Sequence, residues 1–328
     1  MSGSMDVDDE PATFSAAEAA VYDRQMRLWG VEAQKRIQNS QVLVSGLSAL
    51  GSELVKNLVL SGMTVTVHDP RVVTQDVVDT QFFFFEGDVG KNRAEASLEK
   101  AKELNPLVQV HCETAPLSEL SDEFFHKFTV ICLIGADKDN ELRVDAISRA
   151  RKIAFFTAHS FGFDGVVFAD LGTHLYRRTP VGASGAAPAP ASDPIIVNFP
   201  SLAAAHQVQW GSLQSTRKRG PQIPKVYIKH QLLQEYRVKT SKTEVGDASA
   251  FVAFAQAQLQ AQGLAVDFFS AEELSSLAEV AGVDLVPVCA ILAGILGQEI
   301  IKAISQKDEP ICNYFCFDGA TGTVRRIG

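Results

Sequence analysis

Along the chain, apolar and polar positions alternate with two different periods. Residues 1–16 are polar, acidic and small and predict a disordered tail. From Ala17 the apolar residues recur at helical spacing, predicting helices over 17–28 and 31–37. The pattern then changes. Val42-Leu43-Val44 is a short apolar run of strand type leading into Gly46-Leu47-Ser48-Ala49-Leu50-Gly51, after which Leu50, Leu54 and Leu58 with Val55 and Val59 return to helical spacing. A β-branched run from Thr64 to His68 predicts the next strand, and Lys91–Leu104 a helix ended by Asn105-Pro106. Strands are expected at Val108–His111, Thr129–Ile134 and Ile153–Thr157, with a helix at Asp137–Arg151. Alternation of this kind gives an α/β fold: a twisted, mainly parallel sheet covered by helices on both faces.

The alternation breaks at residues 178–194, where Gly-Ala-Ser-Gly-Ala-Ala-Pro-Ala-Pro-Ala-Ser offers too little apolar surface to order itself. This divides the chain into a tail (1–16), a first part (17–177), a flexible linker or insert (178–194) and a second part of the same domain (195–328). Structure resumes at Ile195-Ile196-Val197. Helices are expected at 226–236, 248–262, 271–281 and, strongly apolar, 288–305. Tyr314–Phe317 and Thr323-Val324, with Gly319 and Gly322 between them, predict an antiparallel hairpin closing the sheet.

Composition narrows the function classes. The formal charge is −9 and the pI about 5.3, which disfavours nucleic acid as a partner, because that binding rests on Lys and Arg neutralising phosphate. Mean hydropathy is +0.05, and the longest apolar run, Val286–Leu296, is short of the roughly 20 residues of a membrane helix. No secretory h-region or arginine-rich presequence opens the chain, so a nuclear or cytoplasmic location is expected. The five cysteines are read as reduced thiols; Cys312 and Cys316 lack the second pair a tetrahedral zinc site needs, and no metal site is expected.

A strand, a glycine turn, a helix and an acid some 20 residues on make up a dinucleotide-binding fingerprint. Gly46 and Gly51 fit its first and third glycines, and Asp69 stands 18 residues after Gly51, where a ribose-binding acid belongs. One reading is therefore a nicotinamide-dependent (NAD) oxidoreductase. Ser48, however, replaces the glycine that lets phosphate approach the backbone, so the other reading is a turn that only packs helix against strand.

More specific is Tyr22-Asp23-Arg24-Gln25-Met26-Arg27-Leu28-Trp29-Gly30 ahead of that turn. It resembles the opening of the enzymes that activate ubiquitin-like proteins and of their ThiF/MoeB-type bacterial relatives, which adenylate sulfur carriers. Further similar segments follow in order: Gln81-Phe82, 89–96, Leu104-Asn105-Pro106, Phe155-Phe156-Thr157 with Phe161-Gly162, Pro287–Ala290, 294–303 and Phe317-Asp318-Gly319. The likeness spans about residues 18–328 apart from the linker, and in motif wording and length is closest to the SUMO-activating branch.

The resemblance implies a pseudo-twofold pair of Rossmann-like domains, of which one half binds ATP and Mg²⁺. Its implications for this chain follow residue by residue. Asp69 matches the first acid of the active half's Asp-x-Asp, but Arg71 stands at the second, Val77 at an asparagine, Thr80 at an arginine and Arg93 at a lysine; Asp137 matches a later metal-binding acid. So many departures in one pocket imply a pseudo-adenylation domain: Gly46, Ser48, Gly51, Asp69, Arg71, Arg93 and Asp137 line a degenerate site, and ATP–Mg²⁺ is bound by the partner subunit. Arg24 implies a contact in trans with that ATP, for which a planar guanidinium is suited; Arg27 is a second candidate or a structural residue. The implied partners are a catalytic SUMO-activating subunit, SUMO and, transiently, a conjugating enzyme. A regulatory subunit for a Rub/Nedd-type modifier is the rival within the family, disfavoured because 328 residues leave no room for its long helical insertion. No thioester cysteine is expected: Cys289 reads as a core thiol. Phe82–Phe85 read as core plus interface, Arg217-Lys218-Arg219 as a solvated basic turn with nuclear import as the alternative, and His159 as lacking the nearby acid a base would need.

Overall fold

The computed structural model describes residues 14–178, 193–214, 222–242 and 244–328. Residues 1–13 of the expected tail, most of the 178–194 segment and the basic cluster 217–219 lie outside the described residues, whereas Ser15 and Ala16, expected in the tail, cap and open the first helix.

The strands are β1 (Gln41–Ser45), β2 (Thr64–His68), β3 (Val110–Glu113), β4 (Val130–Ile134), β5 (Ala154–Phe161), β6 (Asp164–Asp170), β7 (Thr173–Tyr176), β8 (Ile195–Asn198), β9 (Tyr314–Phe317) and β10 (Gly322–Arg325). The helices are α1 (Ala16–Trp29), α2 (Val31–Gln38), α3 (Ala49–Leu60), α4 (Gln75–Val78), α5 (Arg93–Leu104), α6 (Asp122–Phe125), α7 (Lys138–Arg151), α8 (Leu202–His206), α9 (Lys225–Thr240), α10 (Ala248–Ala261), α11 (Ala271–Val280) and α12 (Val286–Ser305). One eight-stranded sheet runs β10-β9-β6-β5-β4-β1-β2-β3. Strands β3, β2, β1, β4 and β5 are mutually parallel; β6, β9 and β10 extend the sheet antiparallel.

Both faces of the sheet are buried, and the period-2 alternation of each strand feeds two cores. Val42, Val44, Cys132 and Ile134 face α3, α5 and α12 on one side. Leu43, Ile131, Leu133 and Phe155 face α7, α9 and α10 on the other. That double burial is why the strands read as continuous apolar runs.

Several boundaries differ from the sequence expectation for identifiable reasons. β5 runs on to Phe161 and turns straight back as β6, because Phe155 to Phe161 pairs residue by residue with Asp164 to Asp170. The third strand sits two residues later than expected, where Val110 pairs with Val65. Arg93, not Lys91, opens α5, because the Asn92 side chain caps the helix by accepting from the Glu95 N–H. β7 and β8 pair antiparallel, Tyr176 against Ile195, so the 178–194 segment joins two partnered strands. α12 is longer than expected, and it is one helix that length and composition would allow to cross a membrane. Its apolar side is spent in the core, where Leu292, Leu296 and Ile300 are fully buried.

Candidate functional site: a sealed cleft and an outward arginine

The turn after β1 requires its glycines for backbone reasons alone. Gly46 has φ +101°, and a Cβ there would fall 2.2 Å from the Ile134 carbonyl oxygen. A Cβ on Gly51 would fall 1.9 Å from the Gly46 carbonyl oxygen. Glycine spacing therefore marks a tight strand-to-helix crossing here, whatever binds beside it.

Ser48 is the N-cap of α3, half-buried, with no capping bond from its hydroxyl. The amides around it are occupied by the chain's own carboxylates. Leu47 N–H donates to Asp69 Oδ2 at 2.8 Å and Ala49 N–H to Asp284 Oδ2 at 3.2 Å. A helix start favours negative charge, and here aspartates supply it where a phosphate would otherwise sit.

Asp69 is fully buried and fully committed. Its Oδ1 accepts from the Arg71 backbone N–H and Nε, each at 2.9 Å, and its Oδ2 accepts from Arg71 Nη2 at 2.7 Å as well as from Leu47. Burial opposes its charge, but the guanidinium fork and the two backbone donors outweigh burial and hold the carboxyl below its ordinary range. No lone pair is left for a ribose hydroxyl.

The other positions matched to the active half are turned to structural work. Arg93 is buried and donates from Nε to the Val72 carbonyl at 2.9 Å. Val77 packs in the first core on α4, and the Thr80 hydroxyl donates to the Val77 carbonyl at 3.2 Å. Asp137 is not a residual metal acid: it caps α7, with Oδ1 accepting from the Asn140 N–H at 2.8 Å and Oδ2 from Asn140 Nδ2 at 2.7 Å. Its carboxylate is oriented by the helix start rather than by the turn after β1. The residues present thus do not fit ATP–Mg²⁺.

Sequence reasoning missed Asp284, the strap that closes the cleft. It lies just before α12, bridges to Gly162, and its Oδ1 accepts from the Ser160 hydroxyl at 2.5 Å. No periodicity signals it, because its partners are 124 and 235 residues away. Beside it Cys289 is buried, and burial, then the Asp284 charge, pushes its thiol up to about 12, an inert protonated thiol at neutral pH. His159 requires correction: an acid does face it, since Glu141 Oε1 lies 2.6 Å from its Nε2, but both are buried away from the cleft.

α1 presents the opposite situation. Tyr22 and Gln25 fasten the helix to the body: the Tyr22 hydroxyl accepts from Asn105 Nδ2 at 2.8 Å, and Gln25 Nε2 donates to the Leu60 carbonyl at 3.2 Å. That leaves Arg24 facing out. The two acids near it are taken, Asp23 by Arg27 at 3.0 Å and Glu18 by Ser15 and Gln38. Arg24 has no ion pair or hydrogen bond among the described residues. Val21, 54% exposed, and Leu28, 75% exposed, flank it at helical spacing on the same face. In the aromatic run Phe83 and Phe84 are core, whereas Phe82 and Phe85 are exposed.

A family model for ThiF matches residues 22–327, nearly the whole chain. The chain belongs to the ThiF family. "SUMO-activating enzyme subunit 1" of Xenopus tropicalis is 35% identical over 349 aligned positions covering 98% of this chain and 99% of that protein. The protein of the same name from Homo sapiens is 36% identical over 330, covering 94% of each. A crystal structure of SeMet PaaA superposes with a TM-score of 0.61 at 16% identity, covering 97% of this chain and 86% of that one, which shows a shared fold. In this ThiF-family chain the Rossmann-like turn is retained, and the cleft beside it is filled by Asp69, Arg71 and Asp284.

Proposed function

We propose that the chain is the non-catalytic subunit of a two-subunit SUMO-activating enzyme. The observation that carries this is the self-occupied cleft, in a chain related almost end to end to proteins named SUMO-activating enzyme subunit 1. ATP and Mg²⁺ then belong to the partner subunit. There the carboxylate of the modifier's terminal glycine attacks the α-phosphorus, pyrophosphate leaves, and a partner cysteine takes the modifier as a thioester for a conjugating enzyme. This chain contributes Arg24 to the partner's triphosphate, and the enzyme works in the nucleus. The oxidoreductase alternative fails on Asp69, whose acceptors are all engaged.

Support for Arg24 is its freedom from internal partners. Arg24→Ala should therefore leave stability within roughly 0.5 kcal/mol, as for an unengaged surface residue. Loss of charge-assisted bonds to phosphate, about 1.5–3 kcal/mol, should slow SUMO-driven ATP–pyrophosphate exchange about 10- to 150-fold. Arg24→Lys should recover part of the loss, lacking the planar fork. An intact Arg24→Ala heterodimer, checked by gel filtration, that exchanges at the wild-type rate would refute the contact in trans.

A further inference from the structure

The second core holds a layer of ionisable groups that the cleft does not use. Glu141 on α7, His159 on β5 and His230 on α9 are all buried. Glu141 Oε1 accepts from His159 Nε2 at 2.6 Å and from the Thr157 hydroxyl. The His230 ring lies 4.6 Å from that of His159 and 6.3 Å from Phe161, nearly parallel to the latter. Neither ring nitrogen of His230 has a hydrogen-bond partner, and neither does the neighbouring Gln231 Nε2. His206, at the end of α8, meets the same layer with its Nδ1 unpartnered. An imidazole always carries an N–H, so a buried ring without an acceptor is held in place at a cost.

The charges facing this layer come from every element around it. α7 contributes Lys138 and Glu141, α9 contributes Lys229, Glu235 and Arg237, and β6 contributes Asp164, which pairs with Lys229 at 2.5 Å; β5 and α8 contribute only histidines. Lys138 Nζ lies 2.5 Å from Glu235 Oε1. Arg237 donates to the Ala281 carbonyl at 2.9 Å and faces the Glu141 charge. With His230 and His206 neutral, the three cations Lys138, Lys229 and Arg237 face the three carboxylates Glu235, Asp164 and Glu141. A proton arriving on His230 finds no carboxylate left to balance it. We propose that this histidine layer is an acid-sensitive latch between α9 and the sheet: a neutral His230 ring packs the helix down, and a proton taken up by it lifts it.

The energetics agree in sign. Burial, then His159, His206 and Arg237, hold His230 well below the ordinary value of 6.5, and burial, then Lys138, pushes His206 down to about 4. Below pH 6.5 the opened chain therefore binds a proton at His230 that the closed one does not, and opening gains up to about tenfold per pH unit from that ring. α10 packs on α9 and α11 on α10, so the three lift as one unit.

The test is amide hydrogen exchange on the full chain at several pH values from 7.5 to 5, corrected for intrinsic rates, comparing α9 with β1. Between pH 6.5 and 5 the wild-type α9 should lose about 15-fold in protection while β1 holds. His230→Leu and His230→Gln should both abolish the difference. Equal pH dependence in wild type and either folded variant would overturn the proposal, as would α9 loosening no more than β1. Should neither variant fold, an NMR titration of the wild-type His230 ring decides: titration at or above pH 6.5 in the folded chain refutes the latch, and a ring that stays neutral until α9 opens supports it.

Discussion

Replacing Asp145 by asparagine should make the protein less sensitive to alkaline pH. Asp145 on α7 and Asp170 at the end of β6 are both buried. Asp170 has the stronger partners: its Oδ2 accepts from Arg149 Nη1 at 2.5 Å and its Oδ1 from the Gly172 N–H at 2.7 Å. Asp145 has only the Leu202 N–H, 3.0 Å from Oδ2, and its Oδ1 is unpartnered. Burial, and after it the Asp170 charge, pushes the Asp145 carboxyl from 3.8 up to about 7. The folded chain thus keeps a proton that the unfolded chain releases above about pH 4. Stability from this group is lost as pH rises toward 7, at up to about 1.4 kcal/mol per pH unit, and levels off above. A loss of about 2 kcal/mol between pH 5 and pH 8 is the scale to expect. An asparagine in its place would keep the Leu202 contact, could donate to Asp170, and carries no charge. For 328 residues, 2 kcal/mol corresponds to a Tm difference of about 3 °C. The assay is thermal unfolding of Asp145→Asn and wild type across pH 5–8. Their Tm gap should open in favour of the variant as pH rises; a gap independent of pH would show that Asp145 is already ionised at neutral pH.

Other perturbations separate the structural from the functional parts of the cleft. Arg71→Ala strips two of the four donors from a fully buried carboxylate; discounted for the exposed half of the arginine, it should cost about 2 kcal/mol, measured by urea unfolding. Gly51→Ala forces a Cβ to within 1.9 Å of a carbonyl oxygen and should cost more than about 3 kcal/mol or prevent soluble expression, whereas Gly90→Ala, with open space around it, should cost only its positive-φ strain, about 1 kcal/mol. Ser48→Gly should not create ATP binding, since the Leu47 and Ala49 amides stay engaged; a Kd in the low micromolar range by calorimetry, about −8 kcal/mol, would contradict the sealed-cleft argument.

The sequence determined the parts of this protein that depend on local pattern. Helical spacing at Leu50, Leu54 and Leu58, the β-branched Thr64–His68 run and the apolar Val130–Ile134 run placed elements whose side chains fill two cores on opposite faces of one sheet. The Tyr22–Gly30 motif drew attention to Arg24, and the substitutions at Arg71 and Val77 to a pocket that departs from the active pattern. What the sequence left open was how those residues are spent. Only the tertiary structure brings Asp284 onto the start of α3, pairs Asp23 with Arg27 so that Arg24 is left alone, and turns Asp137 into a helix cap. Gly46 and Gly51 are the clearest case: their spacing fits a nucleotide turn and a packing turn equally well, and the choice depends on the Ile134 carbonyl, 88 residues from Gly46, and on carboxylates from two other segments. The physical reason is range. Periodicity and propensity act over a few residues, whereas a buried charge is decided by whichever partners the closed fold brings within about 3 Å.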